Sequence, residues 1–303
     1  MSINRRNFLE LAALSSVTIL AGTANGEAVK DINEYNKNAF GVLVDTTVCI
    51  GCRKCEWACN KQHSLTHKDK HAFEDKSVFK EHRRPTKNAY TVVNQFFSPD
   101  DPNKKYTMKI QCMHCVEPAC VSACIVGAME KTEHGPVIYD SWKCIGCRYC
   151  MVACPFQIPA YQFDDPIDPK VRKCTFCFER NLEAGNVPAC VEICPTEALT
   201  FCTRQELIEL AHQRLEANPD RYVDHVYGEK EIGGTSWMYL APIGFKYTEL
   251  PNLPSDEPIP EHTEEIQHGI FRSFAIPLGL YGLLGFIMRT LKNNPKEETK
   301  NES

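Results

Sequence analysis

Short apolar runs bounded by turn residues punctuate the first two thirds of this chain. Gly41–Asp45 (GVLVD) and Pro136–Asp140 (PVIYD) each read as a strand leading into a cysteine-rich loop. Ala198–Phe201 reads as a third strand, placed after the last such loop. From Arg204 to about Ala217 the apolar spacing becomes helical. Leu207, Ile208, Leu210, Ala211 and Leu215 make one face, Thr203 and Glu206 stand at capping-box spacing, and Pro219 ends the run. Longer apolar stretches lie near the two ends. Leu11–Leu20 follows Arg5 and Arg6 and leads into small residues, the layout of a twin-arginine signal peptide over residues 1–27. Ser273–Met288, bracketed by Arg272 and Arg289, is expected to form one C-terminal transmembrane helix over 270–290. By the positive-inside rule the basic tail 291–303 is then cytoplasmic. Pro251, Pro254, Pro258 and Pro260 predict a stiff linker over 251–269.

Between these elements sit sixteen of the seventeen cysteines, in four quartets. Cys49, Cys52, Cys55 and Cys59 form the first, and Cys144, Cys147, Cys150 and Cys154 the third. Both read C-x2-C-x2-C-x3-C, the bacterial ferredoxin run. The second quartet (Cys112, Cys115, Cys120, Cys124) widens the middle gap to four residues, and the fourth (Cys174, Cys177, Cys190, Cys194) widens it to twelve. Pro155 and Pro195 follow the last cysteine in the third and fourth quartets, whereas Asn60 and Ile125 stand there in the others. Converging thiolates select zinc, copper(I) or iron–sulfur clusters. Zinc sites use two separated C-x2-C pairs, whereas here three thiolates arrive within seven residues and a fourth follows. A disulfide framework would fit an exported chain but does not call for a repeated local spacing. The pattern therefore predicts four [4Fe-4S] clusters held by all sixteen quartet cysteines. Cys202 lies outside them and is expected to be a small buried hydrophobe on a strand.

The first cysteines of quartets two, three and four are 32 and 30 residues apart, but 63 residues separate those of quartets one and two. An insertion over 61–108 accounts for the difference. It carries His63, His67, His71 and His82 among mixed charges, and it is read as a solvated or partner-facing segment rather than a metal site. The formal charge of −5 gives no reason to expect nucleic acid as a partner. Every quartet is complete, which leaves no open metal position, and no nucleotide loop or nucleophile–base signature stands out. The chain is thus expected to have no catalytic site of its own.

Several segments resemble the four-cluster ferredoxin-type electron-transfer subunits of membrane-bound oxidoreductases. They are Lys109–Cys115, Gly146–Pro155, Tyr227–Glu231 leading to Gly233-Gly234-Thr235, and Glu265–His268. Within that family the chain is most similar to the HybA-type branch, which serves the quinone-linked periplasmic uptake hydrogenase. The resemblance implies an α+β fold with two ferredoxin-like domains. Quartets two and three would form the inner one (109–169), and quartets one and four the outer one (40–60 with 170–202), followed by a helix and extension over 203–250. It also implies that each cluster takes three ligands from one quartet and the fourth from its partner, although spacing alone equally allows quartets three and four to pair. The implied role is an electron relay at the periplasmic face of the bacterial inner membrane. Its partners would be the small and large subunits of a nickel–iron hydrogenase and an integral membrane quinone-reducing subunit. The alternative is the iron–sulfur subunit of a formate dehydrogenase or another molybdopterin oxidoreductase. Residues Arg53, Lys54, Lys143, Arg148 and Lys173, beside the cysteines, are candidates for tuning cluster potentials or steering docking.

Overall fold

Val42, Leu43 and Val44 lose essentially all contact with solvent, and the strand they build organises the first half of the fold. The computed structural model describes residues 32–180, 186–254, 257–261 and 277–289. Strand β1 (Phe40–Asp45) is the middle of a three-stranded sheet. Strand β8 (Leu199–Thr203) runs antiparallel to it, from Phe40 opposite Thr203 to Val44 opposite Leu199. Strand β9 (Trp237–Leu240) runs parallel to it on the other side, from Val42 opposite Trp237 to Asp45 opposite Leu240.

The helix expected after Cys194 is present as α6 (Arg204–Ala217). Its capping box is complete: the Thr203 hydroxyl accepts from the Glu206 N–H and the Glu206 carboxylate accepts from the Thr203 N–H. Leu207, Ala211 and Leu215 bury themselves against Leu43, Met238 and Leu240 of the sheet. The sheet is thereby covered on that face by the apolar side that the sequence spacing marks out.

The other elements are short because metal-binding loops occupy much of the chain. Helix α1 (Ile32–Asn38) precedes β1, and α2 (Lys54–Gln62) carries the end of the first quartet. Strands β2 (Thr91–Phe97) and β3 (Lys105–Gln111) pair antiparallel over their whole length, and β3 delivers the chain directly to Cys112. Helix α3 (Ala119–Ser122) and the hairpin of β4 (Met129–Lys131) with β5 (Val137–Tyr139) follow. Helix α4 (Tyr149–Ala153), the two-residue pair β6 (Ala160–Tyr161) with β7 (Val171–Arg172), and α5 (Ala189–Glu192) complete the set. Cys120, Met129, Val137, Cys150 and Val171 form a second small core, in which the thiols are part of the packing.

One expectation needs correction. The fold class is α+β, but it does not include the transmembrane helix expected over 270–290. Among the described residues no helix is long and apolar enough to cross a membrane. The described helix in that stretch covers 277–289; at 1.5 Å per residue it rises only about 20 Å, against a hydrocarbon core of about 30 Å. Residues up to Pro258 form one compact unit and 259–303 another. Within the insertion, Val92, Val93, Phe96 and Met108 of its hairpin are buried. At the described start of the proline-rich segment the Tyr227 hydroxyl donates to the Pro251 carbonyl at 2.6 Å and the Ile232 N–H to that of Pro254 at 3.0 Å. The signal peptide read over 1–27 lies outside the described residues.

Candidate metal centres

The four cysteine loops share one backbone device. The second residue after the first cysteine is left-handed in every quartet: Gly51 (φ 62°), His114 (φ 48°), Gly146 (φ 71°) and Phe176 (φ 61°). This conformation turns backbone N–H groups back toward the preceding sulfur. The N–H of Gly146 donates to Cys144 Sγ at 3.4 Å, and that of Phe176 to Cys174 Sγ at 3.3 Å. Gly adopts the conformation freely, whereas His and Phe need external support. They support one another, with ring centroids 5.1 Å apart in an edge-to-face contact, and His114 Nδ1 accepts from the Val137 N–H at 2.8 Å. A second left-handed residue stands three places after the last cysteine in quartets two, three and four: Gly127, Gln157 and Glu197. There the Ala128 N–H donates to Cys124 Sγ at 3.1 Å. The first quartet departs from this pattern because α2 runs on past Cys59 to Gln62.

The loops bring the sixteen thiols into four sets. Cys49, Cys52, Cys55 and Cys194 line one cavity. Cys59, Cys174, Cys177 and Cys190 line another. Burial raises the Cys115 pKa most, and nearby Cys154, Cys120 and Cys112 add to the rise. Burial likewise raises that of Cys150, with Cys124, Cys144 and Cys147 adding to it. Each set therefore combines three cysteines of one quartet with one from another. Quartet one exchanges with four, and quartet two with three. Spacing alone had left this pairing open.

Neighbouring sets also sense each other. Cys55 of the first set faces Cys190 of the second. Cys174 of the second faces Cys112 of the third. Cys120 of the third faces Cys150 of the fourth. The sets lie in a row, with buried thiols through the middle. At one end Cys147 is exposed, and Trp142 (94% exposed), Ile145, Tyr149 and Val152, close to it in the chain, are exposed too; at the other Ile50 is exposed beside Cys49.

Burial, reinforced by neighbouring thiolates, holds several of these thiols above their ordinary range. Cys174 and Cys177 are each pushed up to about 12 and Cys150 to about 11. Thiols converging on one point, several of them buried and costly to ionise alone, suit a centre that supplies its own positive charge. A further sign is the Trp237 indole N–H, which is fully buried beside the second set and has no protein acceptor. A cluster sulfide is an acceptor of the kind that position lacks. The residues thus fit [4Fe-4S] clusters, with one set of four thiolates for each.

Of the five charged residues singled out beside cysteines, Arg53 lines the first cavity, Lys54 lies near Cys52, and Lys173 acts on the third set. The Lys173 ammonium is buried, donates to the carbonyls of Val137 and Cys174, and opposes the rise in the Cys120 pKa. Arg53 is structural: it forks onto Glu56 at 2.8 Å and donates to the carbonyls of Phe73 and Asp75. Lys143 meets Asp140 at 3.8 Å, and Arg148 stacks over Tyr161 and Phe163. Lys54 lines a surface hollow with Cys52 and Trp57. The histidines of the insertion do not gather: His71 meets Glu74, His82 meets Glu249, His67 is exposed, and only His63 reaches the second cavity, held there by Glu179 at 2.9 Å. Cys202 lies on β8 as expected but is half-buried, its thiol directed at the capping carboxylate of Glu206.

Sequence reasoning missed Lys109, which is 2% exposed and lines both the first and the second cavity. It also missed His114. Burial and the nearby ammonium groups of Lys173 and Lys131 keep that imidazole far below its usual pKa, hence neutral. The available signal was the position of Lys109 at the polar end of a strand that runs straight into a quartet.

Comparisons with known proteins agree with this geometry. Residues 104–204 match the 4Fe-4S dicluster domain family. A protein of Nitratidesulfovibrio vulgaris is 47% identical over 264 residues, spanning 86% of this chain and 70% of that one. Hydrogenase-2 operon protein HybA of Escherichia coli O157:H7 is 31% identical over 96% of this chain and 97% of its own length. The iron–sulfur subunit of the nitrate-inducible formate dehydrogenase of Escherichia coli K12 is 30% identical over 100% and 98%. The chain belongs to the family of ferredoxin-type [4Fe-4S] electron-transfer subunits that includes HybA and the formate dehydrogenase iron–sulfur subunits.

Proposed function

We propose that this electron-transfer subunit works between a nickel–iron hydrogenase and an integral membrane subunit that reduces quinone. The observation that carries the relay is the row of four cysteine sets, buried in the middle and nearest to solvent at its ends. All sixteen quartet cysteines act as iron ligands, one set to each of four clusters. Bound clusters supply one-electron carriers. The chain's own residues hold the thiolates, exclude water from the inner sets and direct N–H groups at sulfur, and these are the factors that set reduction potentials. The exposed apolar residues close to Cys147 in the chain and the exposed Ile50 offer contact at the two ends of the row.

The near full-length similarity to HybA supports the hydrogenase as partner. Formate dehydrogenase is the second reading, favoured by a relative of comparable identity and coverage. Arg5 and Arg6 ahead of an apolar stretch support export of the cluster-loaded chain by the twin-arginine route to the periplasmic face of the inner membrane.

Co-purification from anaerobically grown cells tests the reading. Nickel–iron subunits travelling with this chain in the periplasm-facing membrane fraction are the expected result, whereas a molybdopterin subunit would transfer the proposal to formate dehydrogenase. Four cubes require about sixteen irons per chain, and fewer than about twelve would undo the ligand assignment.

A further inference from the structure

Lys109 lies on β3, three residues ahead of Cys112, and its side chain turns inward. It lines the cavity of Cys49, Cys52, Cys55 and Cys194 and also that of Cys59, Cys174, Cys177 and Cys190. A lysine buried to this degree is rare unless paired, and its contacts hold it in one place. Lys109 Nζ donates to Gln111 Oε1 at 2.9 Å, and Gln111 Nε2 donates to the Tyr239 hydroxyl at 2.7 Å. That hydroxyl donates to the carbonyl of Lys109 itself at 2.9 Å, which closes a ring across β3 and β9. The ammonium also sits 4.2 Å from the centre of the Trp237 ring. No carboxylate takes part in this ring, and the two cavities that Lys109 lines hold the thiols of Cys55, Cys59, Cys174 and Cys190.

We propose that Lys109 is a shared counter-cation for the clusters of the first and second cysteine sets, raising both reduction potentials together. A reduced cluster with four thiolates carries one more negative charge than its oxidised form. A fixed positive charge nearby therefore favours reduction, and does so strongly where water is excluded. Because one ammonium serves two sites, the two potentials are linked. The pair forms a step in the row on which an electron rests more readily than the thiolate cages alone would allow. Gln111 and Tyr239 are positioning residues that act through the lysine.

The inference rests on the proposed ligation by the cysteine sets, and the experiment separates the two. Redox titration of the intact complex, followed by electron paramagnetic resonance, is compared between wild type and Lys109→Met. In K109M two of the four midpoints should fall far enough to cut the reduced-to-oxidised ratio at fixed potential at least tenfold, about 59 mV for a one-electron couple. The other two should stay in place and iron content should be unchanged. K109R, which keeps the charge, should stay near wild type, and Tyr239→Phe, which opens the ring but keeps the lysine, should lower the same two midpoints by less. Unchanged midpoints in an iron-replete K109M, or an equal shift of all four, would overturn the proposal. If K109M loses iron while K109R retains it, the need for charge is upheld. If both lose it, the residue matters only for packing and the idea fails. A wild-type protein without four reducible centres would refute the ligand assignment instead.

Discussion

At the scale of the residue, the cysteine loops depend on a backbone shape more than on any one side chain. Gly51 and Gly146 take the left-handed position without cost, whereas His114 and Phe176 take it at about 1–2 kcal/mol and recover that through buried contacts. Gly146 has little room to change. A Cβ built on it would lie 2.7 Å from the Tyr161 hydroxyl oxygen, but 3.7 Å from the ring carbon that bears it. Gly146→Ala is therefore expected to lose iron selectively from the set of Cys124, Cys144, Cys147 and Cys150, about a quarter of the total. The double variant G146A/Y161F should recover part of the loss, because the steric share is relieved while the backbone strain stays. Iron assay with resonance spectra of the reduced protein distinguishes the two variants, and equal loss in both would mean that the backbone conformation alone is responsible.

At the scale of the element, the insertion is joined to the first cysteine loop by one buried carboxylate. Glu56 on α2 accepts from Arg53 at 2.8 Å, from Arg83 at 2.6 Å and from the Val93 N–H of β2 at 2.7 Å. Burial works to raise its pKa, but the hydrogen bonds from Arg83 and Arg53 prevail and hold it below the ordinary carboxylate value. A depressed folded pKa stabilises the fold above the unfolded pKa, near 4.3, and that stabilisation fades as pH falls toward the folded value. Removing the charge leaves two arginines facing a neutral group, a change of the kind that costs about 3–5 kcal/mol. Glu56→Gln should lower the urea midpoint at pH 7, and the gap to wild type should narrow below about pH 4.3; a constant gap across that range would remove the carboxylate's charge from the account. This link was not legible in the sequence. Helix α6 was, because Thr203, Glu206 and its apolar face are local signals. The partners of Glu56 are 3, 27 and 37 residues away, and a run of mixed charges does not reveal which carboxylate will be buried. The C-terminal apolar stretch misled for the opposite reason: composition alone suggested a span that the described helix of 277–289 is too short to make.

At the scale of the whole molecule, the spacing of cysteines pointed to thiolate ligands in fours, but three-dimensional pairing decides how the sets are built. The last cysteine of each quartet leaves the set of its own loop and completes the set of another, so every set ties two distant stretches of chain together. Cys194 is the clearest case. It follows Cys190 by four residues, yet it lines the cavity of Cys49, Cys52 and Cys55, while Cys190 lines that of Cys59. The two cysteines therefore belong to neighbouring centres in the row, and serine at each should produce different damage. Cys194→Ser is expected to alter or abolish the end centre held by the first loop, leaving the second set spectroscopically intact. Cys190→Ser should strike the second set, between that end and the third, and so sever the row internally. In the complex, both variants should slow electron passage from donor to quinone. Only C190S should leave a reducible centre on each side of the break. Redox titration of the two proteins distinguishes these outcomes, and identical loss of one and the same centre in both would show that quartet four keeps all its ligands to itself.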